Sequence, residues 1–197
     1  MTLEMMRASV ERIRRELAEA SEGRYPAPRL MAVTKTRTPE EILSLKEMGI
    51  TEIGENRVQE LMGKLPEIGD AFRIHLIGRL QRNKVRQIIG NVSMIQSVDS
   101  VPLAEEISAR AVNAGLRMDV LTEISPAGEA QKGGIPPEET ERFLRQIAPL
   151  EGIRVKGLMA VMPLTEDTEY LDGLFAGMRK LFERMRETAI PAWTWKS

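Results

Sequence analysis

At 197 residues the chain is long enough for one sizeable core and short for two. Its formal net charge of −1 excludes a basic field that would draw it to nucleic acid or anionic lipid, and its lack of cysteine removes disulfides, thiolate catalysis and cysteine-ligated metal together. One histidine leaves no histidine-based metal site, and with no signal peptide and no apolar run of membrane-spanning length, a single cytoplasmic domain over residues 1–197 is expected, without membrane or metal.

Residues 3–20 predict an amphipathic helix, with Leu3, Met6, Val10, Ile13 and Leu17 at spacings of three and four. Arg12, Arg14, Arg15 and Glu16 fall mostly on its solvent side. After a turn-rich link from Gly23 to Pro28, short apolar runs recur at Leu30–Lys35, Glu52–Asn56, Arg73–Gly78, Met94–Asp99, Met118–Ile124 and Val155–Met162. Helical patterns lie between them: Pro39–Met48 closed by Gly49, Val58–Lys64, Asn83–Ile89, Val101–Asn113 closed by Gly115, and Pro137–Ile147. A final helix is expected near Tyr170–Glu187. Thr38-Pro39-Glu40-Glu41 reads as an N-cap, a first-turn proline and a capping box, and Asp99 or Ser100 caps the helix holding Pro102. Strands and helices alternating at this spacing predict βα units around a parallel sheet.

Met31 to Val33 is apolar without alternation, as in a parallel strand covered on both faces. Lys35 then stands at the carboxyl end of that strand, where barrels and open α/β folds place their chemistry. A lysine walled by apolar neighbours is a candidate Schiff-base former, since desolvation favours the free amine that attacks an aldehyde. On position alone a surface lysine at a strand end is the better reading. His75, mid-strand between Ile74 and Leu76, reads as a satisfied core histidine. Gly128 to Gly134 reads as a rim loop rather than the seat of a second nucleophile, Lys132. Gly78-Arg79-Leu80-Gln81-Arg82-Asn83-Lys84 suggests a phosphate cradle but lacks the Walker spacing, and no dinucleotide fingerprint follows any strand. Gly54 and Gly78 suit close approach of a ligand or backbone.

Four stretches at these strand ends carry a family resemblance: Ala32-Val33-Thr34-Lys35-Thr36, Gly54-Glu55-Asn56-Arg57-Val58-Gln59-Glu60, His75 to Lys84, and Gly157-Leu158-Met159-Ala160-Val161-Met162-Pro163. Together, over residues 1 to about 188, they resemble the pyridoxal phosphate homeostasis protein family. The resemblance implies an α/β fold: a TIM-like (β/α)₈ barrel of the alanine racemase amino-terminal type, preceded by one extra helix. It implies pyridoxal 5′-phosphate (PLP) held as a Schiff base on Lys35, with Asn56 and Met159 near the cofactor ring, and no catalytic or metal-binding residues. A PLP carrier or regulator in vitamin B6 homeostasis is therefore expected, with PLP-dependent apoenzymes as partners, and family members are often monomers. The alternatives are a PLP-dependent racemase-like enzyme and an inert fragment. A racemase needs a second acid/base group opposite the lysine, and neither Tyr25 nor Tyr170 follows a strand.

The chain departs from the family pattern at Arg57, where many members carry tyrosine, and at Glu123-Ile124-Ser125, where an asparagine is usual. Six strands are counted where a closed barrel needs eight, so roughly 40–50 further residues are expected for closure. The family's Ser-Met-Gly-Met-Ser and Arg-Ile-Gly-Thr signatures, which supply most of its phosphate grip, do not occur. In their place stands an atypical tail, residues 189–197, with both tryptophans. Codon degeneracy lets that tail be a shifted frame of Met-Asp-Xaa-Glu-Ile-Leu-Ser, so a frameshifted family member is the expectation. Such a chain would have open strand edges prone to association, and PLP affinity lower by several kcal/mol, at roughly 1.5–3 kcal/mol per lost charge-assisted hydrogen bond.

Overall fold

The computed structural model describes residues 2–21, 28–128 and 133–188. Six parallel strands lie side by side in sequence order: β1 (Ala32–Val33), β2 (Glu52–Glu55), β3 (Arg73–Leu76), β4 (Met94–Val98), β5 (Met118–Ile124) and β6 (Ile153–Ala160). Helix α1 (Leu3–Ser21) precedes the sheet; α2 (Pro39–Ser44), α3 (Val58–Ile68), α4 (Val85–Ile88), α5 (Val101–Asn113) and α6 (Thr140–Ile147) connect its strands, and α7 (Thr168–Glu187) follows β6. Each strand pairs only with its sequence neighbours, the order expected of a barrel wall. The sheet is not closed: β1 and β6 are its edges among the described residues.

Local chemistry explains the element ends. At α2 the Thr38 hydroxyl accepts from the Glu41 amide while the Glu41 carboxylate accepts from the Thr38 amide at 2.9 Å, and Pro39 opens the helix. A 3₁₀ turn, Leu45–Met48, continues α2 and stops at Gly49, whose φ of +67° few other residues adopt. β5 and α5 have the predicted bounds. By contrast, the helix expected at Asn83–Ile89 resolves into a 3₁₀ turn, Arg82–Lys84, and one α-turn. Ser100 caps α5 by position, but its hydroxyl makes no capping bond.

One apolar core joins strands and helices, with Ile53, Leu76, Ile95 and Val120 meeting Ile42, Leu61, Ile107 and Leu144. Along β5 burial alternates strictly, Met118, Val120, Thr122 and Ile124 being buried and Asp119, Leu121 and Glu123 half-buried. One sheet face is therefore packed and the other is only partly covered. This corrects the reading of Leu30–Lys35 as a strand covered on both faces: β1 keeps two residues, and Val33 is 50% exposed. An edge strand has a single partner, so its ladder ends with the Thr34 amide bonded to the Gly54 carbonyl at 3.0 Å. Helix α1 packs Met6 and Val10 partly onto the core. Arg14 is exposed, as expected for the solvent side of α1, and donates to the Gly49 carbonyl at 2.9 Å.

Candidate functional site

The carboxyl ends of the strands gather the polar side chains. Lys35 stands two residues past the end of β1 and is exposed. Its exposure means that it is not walled in by apolar neighbours among the described residues, a further correction of the sequence reading that has the same cause: β1 is an edge. What holds Lys35 is the backbone on either side. Thr34 is buried, and its hydroxyl bonds the Glu55 carboxylate at 2.6 Å. Thr36 adopts φ of +64°, an uncommon conformation for a β-branched residue, and its amide donates to the Glu60 carboxylate.

A second lysine ties these contacts together. Lys64, on α3 and only 8% exposed, donates to the Thr34 carbonyl at 2.8 Å, to Glu55 at 2.9 Å and to Glu60 at 2.7 Å. All three ammonium protons are thereby used. Burial works against the Lys64 charge, yet the Glu60 and Glu55 carboxylates prevail and hold its pKa above the ordinary lysine range. In turn the bonds from Lys64 and from the Thr36 amide pull Glu60 below the usual carboxylate range. The sequence reading passed over Lys64. Its only signal was the Glu60–Lys64 spacing of four on a predicted helix beside a glutamate in an apolar strand.

Asn56 follows β2, the neighbour of β1 in the sheet, and the register Val33 to Gly54 carries on to bring Lys35 and Asn56 to adjoining strand ends. The Asn56 Oδ1 is buried without a hydrogen-bond partner among the described residues. Gly78 packs against it: a β-carbon there would sit 2.8 Å from the Asn56 Cα and collide with its carbonyl oxygen. The close approach foreseen at Gly78 is therefore one of backbone on backbone.

Met159 lies in β6 opposite Glu123 of β5 and is half-buried. Lys35 and Asn56 share one edge of the sheet, whereas Met159 is on the strand at the other edge. Glu123 has its pKa raised, first by burial and then by the Asp99 charge, against an opposing pull from Arg79. Glu123, Ser125, Gly133, Val161 and Pro163 border a cavity of about 280 Å³.

His75 is core, as expected, but only half satisfied. Its Nδ1 takes the Gln96 amide at 2.7 Å, which places the ring proton on Nε2, and Nε2 is buried without a partner. Burial lowers the His75 pKa. Gly128, Gly133 and Gly134 of the rim loop all have positive φ; Lys132, Tyr25 and the 189–197 tail lie outside the described residues. Among the described residues no helix is long and apolar enough to cross a membrane.

Known proteins are similar to this chain in sequence and fold. The profile of the alanine racemase N-terminal domain family matches residues 6–196. The pyridoxal phosphate homeostasis protein of Aquifex aeolicus is 36% identical over 186 residues, 92% of this chain and 81% of the relative. A crystal structure of an unknown protein from Bifidobacterium adolescentis superposes with a TM-score of 0.87 at 33% identity, over 96% of this chain and 82% of that one. PipY of Synechococcus elongatus, whose structure has PLP bound, superposes with a TM-score of 0.78 at 27% identity, over 91% and 84%.

Proposed function

We propose that this chain, which belongs to the pyridoxal phosphate homeostasis protein family, binds PLP and acts in its homeostasis, with Lys35 as the amine that holds the cofactor. The observation that carries the reading is the pairing of two groups at adjoining strand ends, an accessible lysine amine and a buried acceptor, Asn56 Oδ1, that lacks a partner. A buried acceptor without a donor is costly, and a ligand bearing a polar hydrogen would satisfy it. The cofactor supplies an aldehyde that condenses with an amine, with loss of water.

This chain's own residues perform the remaining work. Lys64, Glu55 and Glu60 fix the backbone before and after Lys35, so the amine stands on a rigid support rather than a free loop. Asn56 is held against Gly78 and orients a ring polar group. Met159 offers a polarizable face from β6. The role is carriage and regulation, in the cytoplasm, with PLP-dependent apoenzymes as recipients. The relatives are named homeostasis proteins, and Tyr170, the described tyrosine, lies in the first turn of α7 rather than at a strand end.

Incubation with PLP, borohydride reduction and peptide mapping test this reading. A reduced adduct on Lys35, lost in Lys35→Ala, is expected. A folded protein that forms no adduct, or one that modifies lysines indiscriminately, overturns it. Turnover of L-alanine to D-alanine would overturn the carrier role alone.

A further inference from the structure

Beside the lysine site lies a second cleft that shares only Asn56 with the PLP reading. It has a volume of about 620 Å³ and is walled by the loops after β2, β3 and β4, with Arg57, Arg79, Arg82 and Lys84 bringing four cations to it. Asp99 is the one carboxylate on its lining, and Lys35 does not line it. The four cations form no ion pair with any described residue, whereas Arg7, Arg12, Arg37, Arg73, Arg110, Arg145 and Arg154 each face a carboxylate. Like charges gathered in one concavity repel, and a bound anion relieves that repulsion.

The first turns of α3 and α5 also open into the cleft through Val58, Gln59, Ser100 and Leu103. Neither helix has a side-chain cap, so their leading amides, apart from Pro102, which has no N–H, add donors and the positive ends of two helix dipoles. Three of the cations, Arg57, Arg79 and Arg82, are exposed guanidiniums, whose planar forks suit bidentate contacts to phosphate oxygens. No aromatic side chain lines the cleft, so nothing is present to stack a nucleobase. The volume is that of a small-molecule site rather than a nucleic-acid track.

We propose that the cleft between the β2, β3 and β4 loops binds a small polyanion carrying at least two anionic oxygen groups, such as a phosphorylated metabolite, independently of Lys35. The Gly78–Lys84 stretch is thus a phosphate cradle without Walker geometry. The cleft's cations come from two loops, Arg57 after β2 and Arg79, Arg82 and Lys84 after β3, facing the start of α5 across the cleft.

Inorganic pyrophosphate titrated calorimetrically into the full chain, at constant ionic strength, tests the proposal. Saturable one-to-one binding is expected, weakened about tenfold or more in Arg57→Gln/Arg79→Gln and in Lys84→Gln. Lys35→Ala should bind unchanged, as should Arg86→Gln, which removes a neighbouring exposed cation that does not line the cleft. The substituted arginines are exposed and make no ion pair with a described residue, and circular dichroism checks that each variant is folded. Absence of saturable binding overturns the proposal. So does an equal loss in Arg86→Gln, which would mean a general surface field. Loss in Lys35→Ala with the cleft variants unaffected would assign the anion to the lysine site and overturn it too, while leaving the PLP reading intact.

Discussion

Replacing Lys64 by methionine isolates the interaction on which the lysine site rests. The side chain keeps its length and apolar stem but loses three hydrogen bonds of 2.7–2.9 Å. Glu55, with no exposed surface, keeps the Thr34 hydroxyl on Oε1 and has no partner on Oε2. Removing one partner of a buried ion pair costs about 3–5 kcal/mol. The loss is capped by the alternative of burying a neutral carboxyl: taking up a proton costs an ordinary glutamate about 4 kcal/mol at pH 7 and about 1 kcal/mol at pH 5. Lys64→Met should therefore destabilise by about 3–4 kcal/mol at pH 7 and by markedly less at pH 5. Glu55→Gln/Lys64→Met should recover part of the loss and lack the pH dependence. Urea midpoints at fixed m-value measure both. A loss under about 1 kcal/mol at pH 7, or an equal loss at both pH values, would refute the buried-charge argument. Where the variant remains folded, its adduct on Lys35 should also form less completely, because the Thr34 carbonyl and the Glu60 carboxylate that hold the turn are released.

His75 should make the protein acid-sensitive. Burial lowers its folded pKa while the unfolded chain titrates near the ordinary value of about 6.5, so below that pH the unfolded state binds more protons and stability falls. The decline between pH 7 and 5, read from urea midpoints, should flatten in His75→Gln; an unchanged slope would remove His75 as its source. Gly78→Ala should cost about 2 kcal/mol or more, because the new methyl meets the Asn56 main chain rather than a flexible side chain. An unaltered thermal midpoint would show that the β2 and β3 ends can part without cost. Lys35→Ala, an exposed position, should leave stability within about 0.5 kcal/mol of the parent while abolishing the adduct.

Where the local signal was strong, the sequence located the fold well. The capping box at Thr38–Glu41, the bounds of α5 and the whole of β5 are local properties, and the structure reproduces them. β1 shrank from a predicted six residues to two because ladder length belongs to the pair of strands, and an edge strand has one partner. The apolar run Met31–Val33 is compatible with either a doubly covered strand or an edge strand with one bare face. No pattern within the run separates the two.

The candidate site divides in the same way. Lys35, Asn56 and the Arg79–Lys84 loop stand at strand ends, as the sequence places them, because that placement follows from the alternation of strands and helices. The support beneath Lys35 was not. Glu60 and Lys64 stand four residues apart on a helix, the spacing also found in Arg12–Glu16, Glu106–Arg110, Glu141–Arg145 and Arg179–Glu183, all of them pairs at the surface. Such pairs are worth a few tenths of a kcal/mol in water. What sets Glu60–Lys64 apart is Glu55, brought in from β2 with no exposed surface, so that one ammonium serves two carboxylates and a carbonyl. The difference is made by a third residue in another element, and it turns a weak surface contact into the support of the lysine site. Lys35 takes its position from this packing, and so the effect of Lys64→Met on the Lys35 adduct bears on the mechanism more directly than any change at the surface pairs.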